Sequence, residues 1–311
     1  MRVLFWGTPE FAAAPLRALI GEGFEVVGVV TQPDKPKGRT RALAQPPVKQ
    51  IALEERISVF QPATPKDSEF IEMIELIKPD ISVVVAYGHI LPKRVIDIPR
   101  LGTLNIHASL LPLLRGAAPI QSAIRRGFSE TGVTIMRMVP ALDAGPIMLT
   151  SSIPILDDET YGELQMRLSE LGALTVIEAL TLISIDKLEE TPQDDSLATF
   201  APKISRDDAR VDWTLSVDEV CRMVRAYDPK PAAFSTLGGL EVKLFGARRM
   251  ELNDDSPAQP GRVADVRQGI IVACRDGFVC IRDVQPAGKS RMRSADWARG
   301  RGVTMGDTLG S

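Results

Sequence analysis

Short apolar runs alternate with helix-length stretches through the first half of this chain, and no other feature limits its fold as strongly. Val3–Trp6, Glu25–Val30, Ile81–Ala86, Gly102–His107 and Val133–Met138 read as strands. Pro9–Ile20, Pro47–Glu55, Asp67–Ile77 and Ala117–Arg126 read as helices between or after them. Strands and helices in steady succession predict an open, mostly parallel sheet with right-handed crossovers, a Rossmann-like α/β arrangement. Ile81–Ala86 is apolar throughout, as a strand covered on both faces must be. A longer helical pattern, Thr160–Ile183, can cover one face of that sheet.

The rhythm changes near Leu188. Glu189–Asp195 is acidic, contains Pro192 and has little apolar content, so it reads as a linker. From Asp207 a helix at Ser216–Ala226 precedes short runs at Ala233–Ser235, Leu240–Ala247, Gly261–Val266, Gly269–Cys274 and Phe278–Gln285. Short runs punctuated by glycines and acids predict a small antiparallel β-barrel of about five strands. The expected organisation is a first domain over 1–188, a linker over 189–206 and a second domain over 207–311. Hydrophobic residues make up 44% of the 311, enough for two cores of ordinary size.

The start, MRVLFWGTPEF, reads as a strand entering a turn and lacks the basic and cleavable features of a signal peptide. No apolar run is long enough to span a bilayer. Cys221, Cys274 and Cys280 are odd in number and widely spaced, which points to free thiols in a reducing compartment. A soluble cytoplasmic protein is expected.

A net charge of −3 excludes a wholly basic nucleic-acid coat, and 5% aromatic content argues against a broad base-stacking platform. Two stretches run against the average. Asp34–Lys49 holds Lys35, Lys37, Arg39, Arg41 and Lys49 against one acid, and Lys289–Arg301 holds five basic residues against one acid. Either alone is as well read as a solvated loop. Together they tilt the reading toward a polyanion such as RNA.

The segment Leu104–Pro112, LNIHASLLP, carries the most chemistry. Asn105 and His107 stand two apart on a strand, so they share a face. They lie near the strand's carboxyl end, where open α/β sheets collect ligands. An amide beside an imidazole can polarise a carbonyl and stabilise a developing oxyanion. Asp143, in ALDAG after the strand Val133–Met138, can orient a histidine from a neighbouring strand end. It reads equally well as a turn-forming Asp. Gly88, in YGHILP, suits a tight turn, and Ile90 and Leu91 can pack a flat heterocycle. His89 has no polar partner two residues away and is expected at a surface or pocket rim. Arg115 can hold a substrate carboxylate or phosphate, or form a structural salt bridge. Gly7-Thr8-Pro9 lacks the glycine fingerprint of a dinucleotide loop, and no spacing of His and Cys suggests a metal.

The segments GTPEF, TQPDKPKGR, PPVK, VVVAYGHILP, LNIHASLLP, RGAAPIQSAI, ETGVTIMRM, ALDAG, FAPKISRDDARVDW and VRAYDPKPAAF together resemble the methionyl-tRNA formyltransferases over nearly the whole chain. The resemblance implies formyl transfer from 10-formyltetrahydrofolate to methionyl initiator tRNA, without a metal. It implies catalytic roles for Asn105, His107 and Asp143. It implies a folate site at Ser109, Leu110, Leu111 and Pro112, beside Gly88, Ile90 and Leu91. It implies that Lys35, Lys37, Arg39 and Arg41 engage the tRNA, and that the second domain is an oligonucleotide-binding-like barrel supporting it. A monomer with no DNA or membrane partner is the accompanying expectation. The chain departs from the family pattern at Leu113 and Leu114, where an Arg and an aromatic are usual, and at Lys230, where a Trp is common.

Two other readings compete. Formyl transfer to an amino-sugar nucleotide would use the same folate chemistry and also an extra domain. A non-catalytic RNA-binding protein would explain the basic segments, but not the conjunction of Asn105, His107, the SLLP loop and Asp143. A purine-pathway glycinamide formyltransferase would need neither the second domain nor the basic segment at Lys35–Arg41.

Overall fold

The computed structural model describes residues 1–37, 42–251 and 259–310. They form two compact units, one of Met1–Pro119, Glu130–Pro154 and Gln165–Ala201, the other of Ile120–Ser129, Ile155–Leu164 and Pro202–Ser311.

The first unit begins with β1 (Arg2–Gly7), α1 (Ala13–Gly21) and β2 (Glu25–Val30). A short hairpin of β3 (Lys35–Lys37) and β4 (Ala42–Ala44) follows, then α2 (Pro47–Glu54), β5 (Val59–Phe60), α3 (Ser68–Ile77) and β6 (Ile81–Val85). After α4 (Lys93–Ile96) the chain continues through β7 (Thr103–His107), α5 (Pro119–Arg126), β8 (Glu130–Arg137), β9 (Ile147–Pro154) and the long α6 (Tyr161–Ser184), of which α5 from Ile120 onward and the first turn of α6, up to Leu164, belong to the second unit. Asp67 opens α3 by accepting bonds from the Glu69 and Phe70 amides, and Lys78 closes it in the left-handed conformation.

The sheet has seven strands in the order β5-β2-β1-β6-β7-β8-β9. The ladders from β5 to β7 are parallel, whereas β8 pairs antiparallel with both β7 and β9. This is the expected mostly parallel sheet, with two strands that sequence reading missed, the two-residue β5 and β9. In β9, Thr150, Ser151 and Ser152 interrupt the apolar pattern, because an edge strand half open to water needs few hydrophobic residues. All five residues of β6 are buried, as its apolar run requires. Trp6, Val30, Phe70, Val84, Tyr87 and Leu91 pack together in one core cluster. Leu168, Val176 and Leu180 of α6 are buried, and Ser169 donates to the Phe11 carbonyl at 2.8 Å. No helix among the described residues is long and apolar enough to cross a membrane.

The second unit contains α7 (Val217–Tyr227), whose Ser216 and Glu219 close a reciprocal capping box. Then come β10 (Ala233–Leu237), β11 (Leu240–Met250), β12 (Val263–Asp265), β13 (Ile270–Cys274), β14 (Gly277–Pro286), β15 (Met292–Arg293) and α8 (Ser294–Arg299). The strands form an antiparallel sheet in the order β10-β11-β14-β13-β12, with β15 on β14. Within the described residues its hydrogen-bonded path is open, with β10 and β12 at its ends. The three cysteines are free, and burial pushes the Cys221 thiol up to about 11 and that of Cys274 to about 12.

The stretch read as a linker is bonded to the first unit over most of its length. Thr191 exchanges both backbone hydrogen bonds with Ile147 at 2.8 Å, and Ala201 pairs with Arg115 at 2.8 Å. Residues up to Ala201 therefore belong to the first unit, tied to it by backbone bonds that local composition does not reveal.

Candidate functional site

At the carboxyl end of β7, Asn105 and His107 share the strand face their spacing demands. Asn105 is half-buried, and His107 is 6% exposed. His107 Nε2 lies 3.1 Å from the Leu114 carbonyl oxygen. A carbonyl only accepts, so Nε2 carries the proton of that bond. His107 Nδ1 lies 3.6 Å from Asp143 Oδ2, a gap longer than a direct hydrogen bond. The Nδ1 edge is thus the one left for exchange with a substrate or a water.

The loop that follows is held from several directions. Thr134, opposite His107 in the β7–β8 ladder, is fully buried. Its hydroxyl donates to the Ser109 carbonyl at 2.7 Å and accepts from the Leu111 amide at 3.1 Å. Ser109 Oγ donates to the Leu113 carbonyl at 2.6 Å. The Leu114 amide, in a left-handed residue at φ 60°, donates to Thr199 Oγ1 at 2.9 Å. The Leu111–Pro112 peptide is cis. The carbonyl that holds His107 is therefore itself fixed. At Gly116, φ is 121° and a Cβ would come within 2.6 Å of the Ala201 carbonyl oxygen, so both conformation and space require glycine. That glycine brings its amide to Asp143 Oδ2 at 2.8 Å.

Arg115 resolves to the structural alternative. It is 5% exposed, and its guanidinium bonds Gln193 Oε1 and Asp195 Oδ1. Its Nε and Nη2 are thus committed to these two partners.

Of the remaining candidates, Gly88 has φ 89° and lies against the Gln32 amide, which donates to the Tyr87 carbonyl at 3.1 Å. Ile90 is 80% exposed, whereas Leu91 is buried in the core cluster. His89 is exposed beside the Tyr87 ring, as expected for a surface position.

Lys35 sits on β3 and bonds Gln32, and Lys37 ends that strand. Arg39 and Arg41 lie outside the described residues. The neck of this basic hairpin is pinned by Lys49, which bonds both oxygens of Asp34 and Gln61 Oε1 at 2.7–2.9 Å. Those bonds from Lys49 and Gln61 hold the Asp34 carboxyl below its usual range. The other basic stretch, Lys289–Arg301, is largely paired. Arg291 bonds Asp228 and Asp283, Arg293 bonds Asp283, and Arg299 bonds Asp296. Its local charge sum overstates what a polyanion would meet, because Asp228 and Asp283, from elsewhere in the sequence, neutralise two of its arginines.

Sequence reading missed Thr134, Thr199 and Gln193. Thr134 stands in GVTIM and could have been found from its place opposite His107. The other two sit in the stretch without periodicity.

Among the described residues no group of His, Cys, Asp and Glu has the makings of a metal site.

Comparison with known proteins adds the following. Residues 1–180 match the family model described as formyl transferase, and residues 203–302 match that of the formyl transferase C-terminal domain. The methionyl-tRNA formyltransferase of Methylococcus capsulatus is 46% identical over 311 residues, covering 100% of both proteins. Among solved structures, HypX from Aquifex aeolicus in complex with tetrahydrofolic acid superposes with a TM-score of 0.66 at 24% identity. The match covers 95% of this chain but only 46% of HypX. The methionyl-tRNA formyltransferase from Clostridium thermocellum superposes with a TM-score of 0.59 at 15% identity, over 93% of this chain and 100% of its own. These two structures share the fold.

Proposed function

The chain belongs to the formyl transferase family, and from that premise we infer that it transfers the formyl group of 10-formyltetrahydrofolate to the α-amino group of methionyl initiator tRNA. The observation that carries the chemistry is the convergence of Asn105, His107 and Asp143 at one strand end, with His107 fixed through Nε2 and open at Nδ1. Full-length identity to methionyl-tRNA formyltransferases favours tRNA over an amino-sugar nucleotide as acceptor.

The neutral amine attacks the formyl carbon and a tetrahedral intermediate forms with negative charge on oxygen. The Asn105 amide donates to that oxygen, at a site where charge appears only as the transition state is reached. Asp143 takes up the proton lost by the amine, through a water, and passes it to His107 Nδ1, which it faces at 3.6 Å. His107 then delivers that proton from Nδ1 to the departing folate nitrogen and returns to the neutral ring protonated on Nε2. The Leu114 carbonyl keeps the ring from turning while this happens. No bond to the enzyme forms at any stage.

The loop Ser109–Pro112, with Gly88, Ile90 and Leu91, is assigned to the folate. The exposed side chain of Ile90 offers contact area, while buried Leu91 supports the backbone beneath it. Lys35, Lys37, Arg39 and Arg41 are assigned to the tRNA backbone, where cations displace condensed counterions. The protein works as a cytoplasmic monomer in this reading.

The test uses purified protein, 10-formyltetrahydrofolate and aminoacylated initiator tRNA. Formylated methionine is expected, with none on deacylated or elongator tRNA. Transfer to an amino-sugar nucleotide in preference to the tRNA would overturn the acceptor assignment.

A further inference from the structure

We propose that Gln193 is a positioning residue for formyl transfer, holding the turn that aims Asp143 at His107. The proposal rests on the roles assigned to those two residues above. Gln193 lies between the segments matched by the two family models, in the stretch whose composition suggested only a linker.

A glutamine amide has two N–H donors and one carbonyl oxygen with two lone pairs. Here every one of them is used. Nε2 donates to the Asp143 carbonyl at 2.9 Å and to the Gly145 carbonyl at 2.7 Å. Oε1 accepts from Arg115 Nε at 3.0 Å and Nη2 at 2.8 Å. Arg115 can only donate, so it fixes which end of the amide is oxygen. The NH₂ group must then face the Asp143–Gly145 turn. The Ile147–Thr191 bridge sets the register that delivers Gln193 to this place.

The turn needs an external hold. Asp143 has φ 47°, a left-handed conformation that costs free energy for a residue with a Cβ. Gln193 grips its backbone, and the Gly116 amide grips its carboxylate at Oδ2. Arg115 organises both, since it orients Gln193 and directly precedes Gly116. It is anchored in turn by backbone bonds to Thr199 and Ala201. With both grips in place, Asp143 Oδ2 stands 3.6 Å from His107 Nδ1. Without the first, the turn is free to relax and the carboxylate to swing.

Gln193→Glu is the discriminating substitution. It keeps length and shape and strengthens the link to Arg115, yet it has no N–H to give the two carbonyls. Gln193→Ala removes both links. Steady-state kinetics with 10-formyltetrahydrofolate and methionyl-tRNA are expected to show kcat lowered by about 10- to 100-fold in both, with either KM changed by less than about twofold. The unfolding midpoint of Gln193→Glu is expected to fall modestly, because two carbonyls lose their donor, so kcat is compared at a temperature where every variant is fully folded. The chain has only two histidines, so the His107 imidazole resonance can be followed directly against His89 as internal reference. It is expected to move in both Gln193 variants in the direction it moves in Asp143→Asn.

Wild-type kcat in Gln193→Glu overturns the proposal, as does a lower kcat with an unmoved His107 resonance. Asp143→Asn separates this failure from that of the underlying assignment. Wild-type activity in Asp143→Asn removes the role of Asp143 itself. An impaired Asp143→Asn beside an intact Gln193→Glu removes only the role of Gln193.

Discussion

Two neighbouring strands of the same sheet lead to the chain's two histidines, His89 in the loop after β6 and His107 at the end of β7. The loop after β6 leaves His89 exposed beside the Tyr87 ring. The loop after β7 follows a histidine that is buried with acceptors facing both ring nitrogens. Both lie on the carboxyl side of a strand, so that side of the sheet does not make the difference. What differs is the number of distant residues that converge. Thr8 and Gln32 hold the first loop through the Tyr87 carbonyl. Thr134, Asp143 and Thr199 all reach the second, and each fixes an atom on which His107 or its support depends. In the proposed mechanism, the histidine given a chemical role is the one whose ring is immobilised and largely removed from water.

The sharpest way to break this contrast is His107→Ala. Loss of the group that protonates the leaving nitrogen is expected to lower kcat between about 10²- and 10⁴-fold. Single-turnover formylation with saturating tRNA and folate measures it. Asn105→Ala comes next, with an expected loss of about 3–4 kcal/mol of transition-state stabilisation. Its effect belongs in kcat, since the oxyanion is absent from the ground state. A rate near wild type for either variant would remove that residue from the mechanism.

Thr134→Val asks whether the second loop is held as described. Valine keeps the volume, but strands the Leu111 amide and the Ser109 carbonyl without their partner. A buried group left unpaired costs about 1–3 kcal/mol, and urea unfolding should register that loss. Activity should fall less than in the two substitutions above, because the reacting groups remain. A variant as stable as wild type would mean that the loop finds other partners.

These contrasts show what could be read from sequence. Asn105 and His107 were legible because strand periodicity alone puts them on one face. Asp143 was legible as a candidate, but its turn reading was equally good until the Gly116 amide and His107 were seen around it. Gln193 and Thr199 were illegible. They lie in a polar, acidic segment with no period, and the bridge between Thr191 and Ile147 that places them joins residues far apart in sequence. The same limit misled the charge count at Lys289–Arg301, where Asp228 and Asp283 neutralise arginines from outside the window. Strands were legible where they were apolar, and were missed at β5, which is two residues long, and at β9, where Thr150, Ser152 and Pro154 are exposed. Local pattern reports what a segment buries. It carries little about which distant polar group a segment will meet.

His89→Gln is the smallest expected effect and the closest test of the comparison. The side chain is exposed, and glutamine keeps a polar group of similar reach, so stability should change by less than about 0.5 kcal/mol. kcat should stay at the wild-type value, because nothing holds this ring against a reacting atom. The loop itself is assigned to the folate, so a modest rise in the folate KM is compatible with the contrast and a fall in kcat is not. A loss of kcat comparable to that of His107→Ala would show that the ring is recruited on substrate binding. Burial and convergence in the free protein would then be the wrong criterion for telling the two histidines apart.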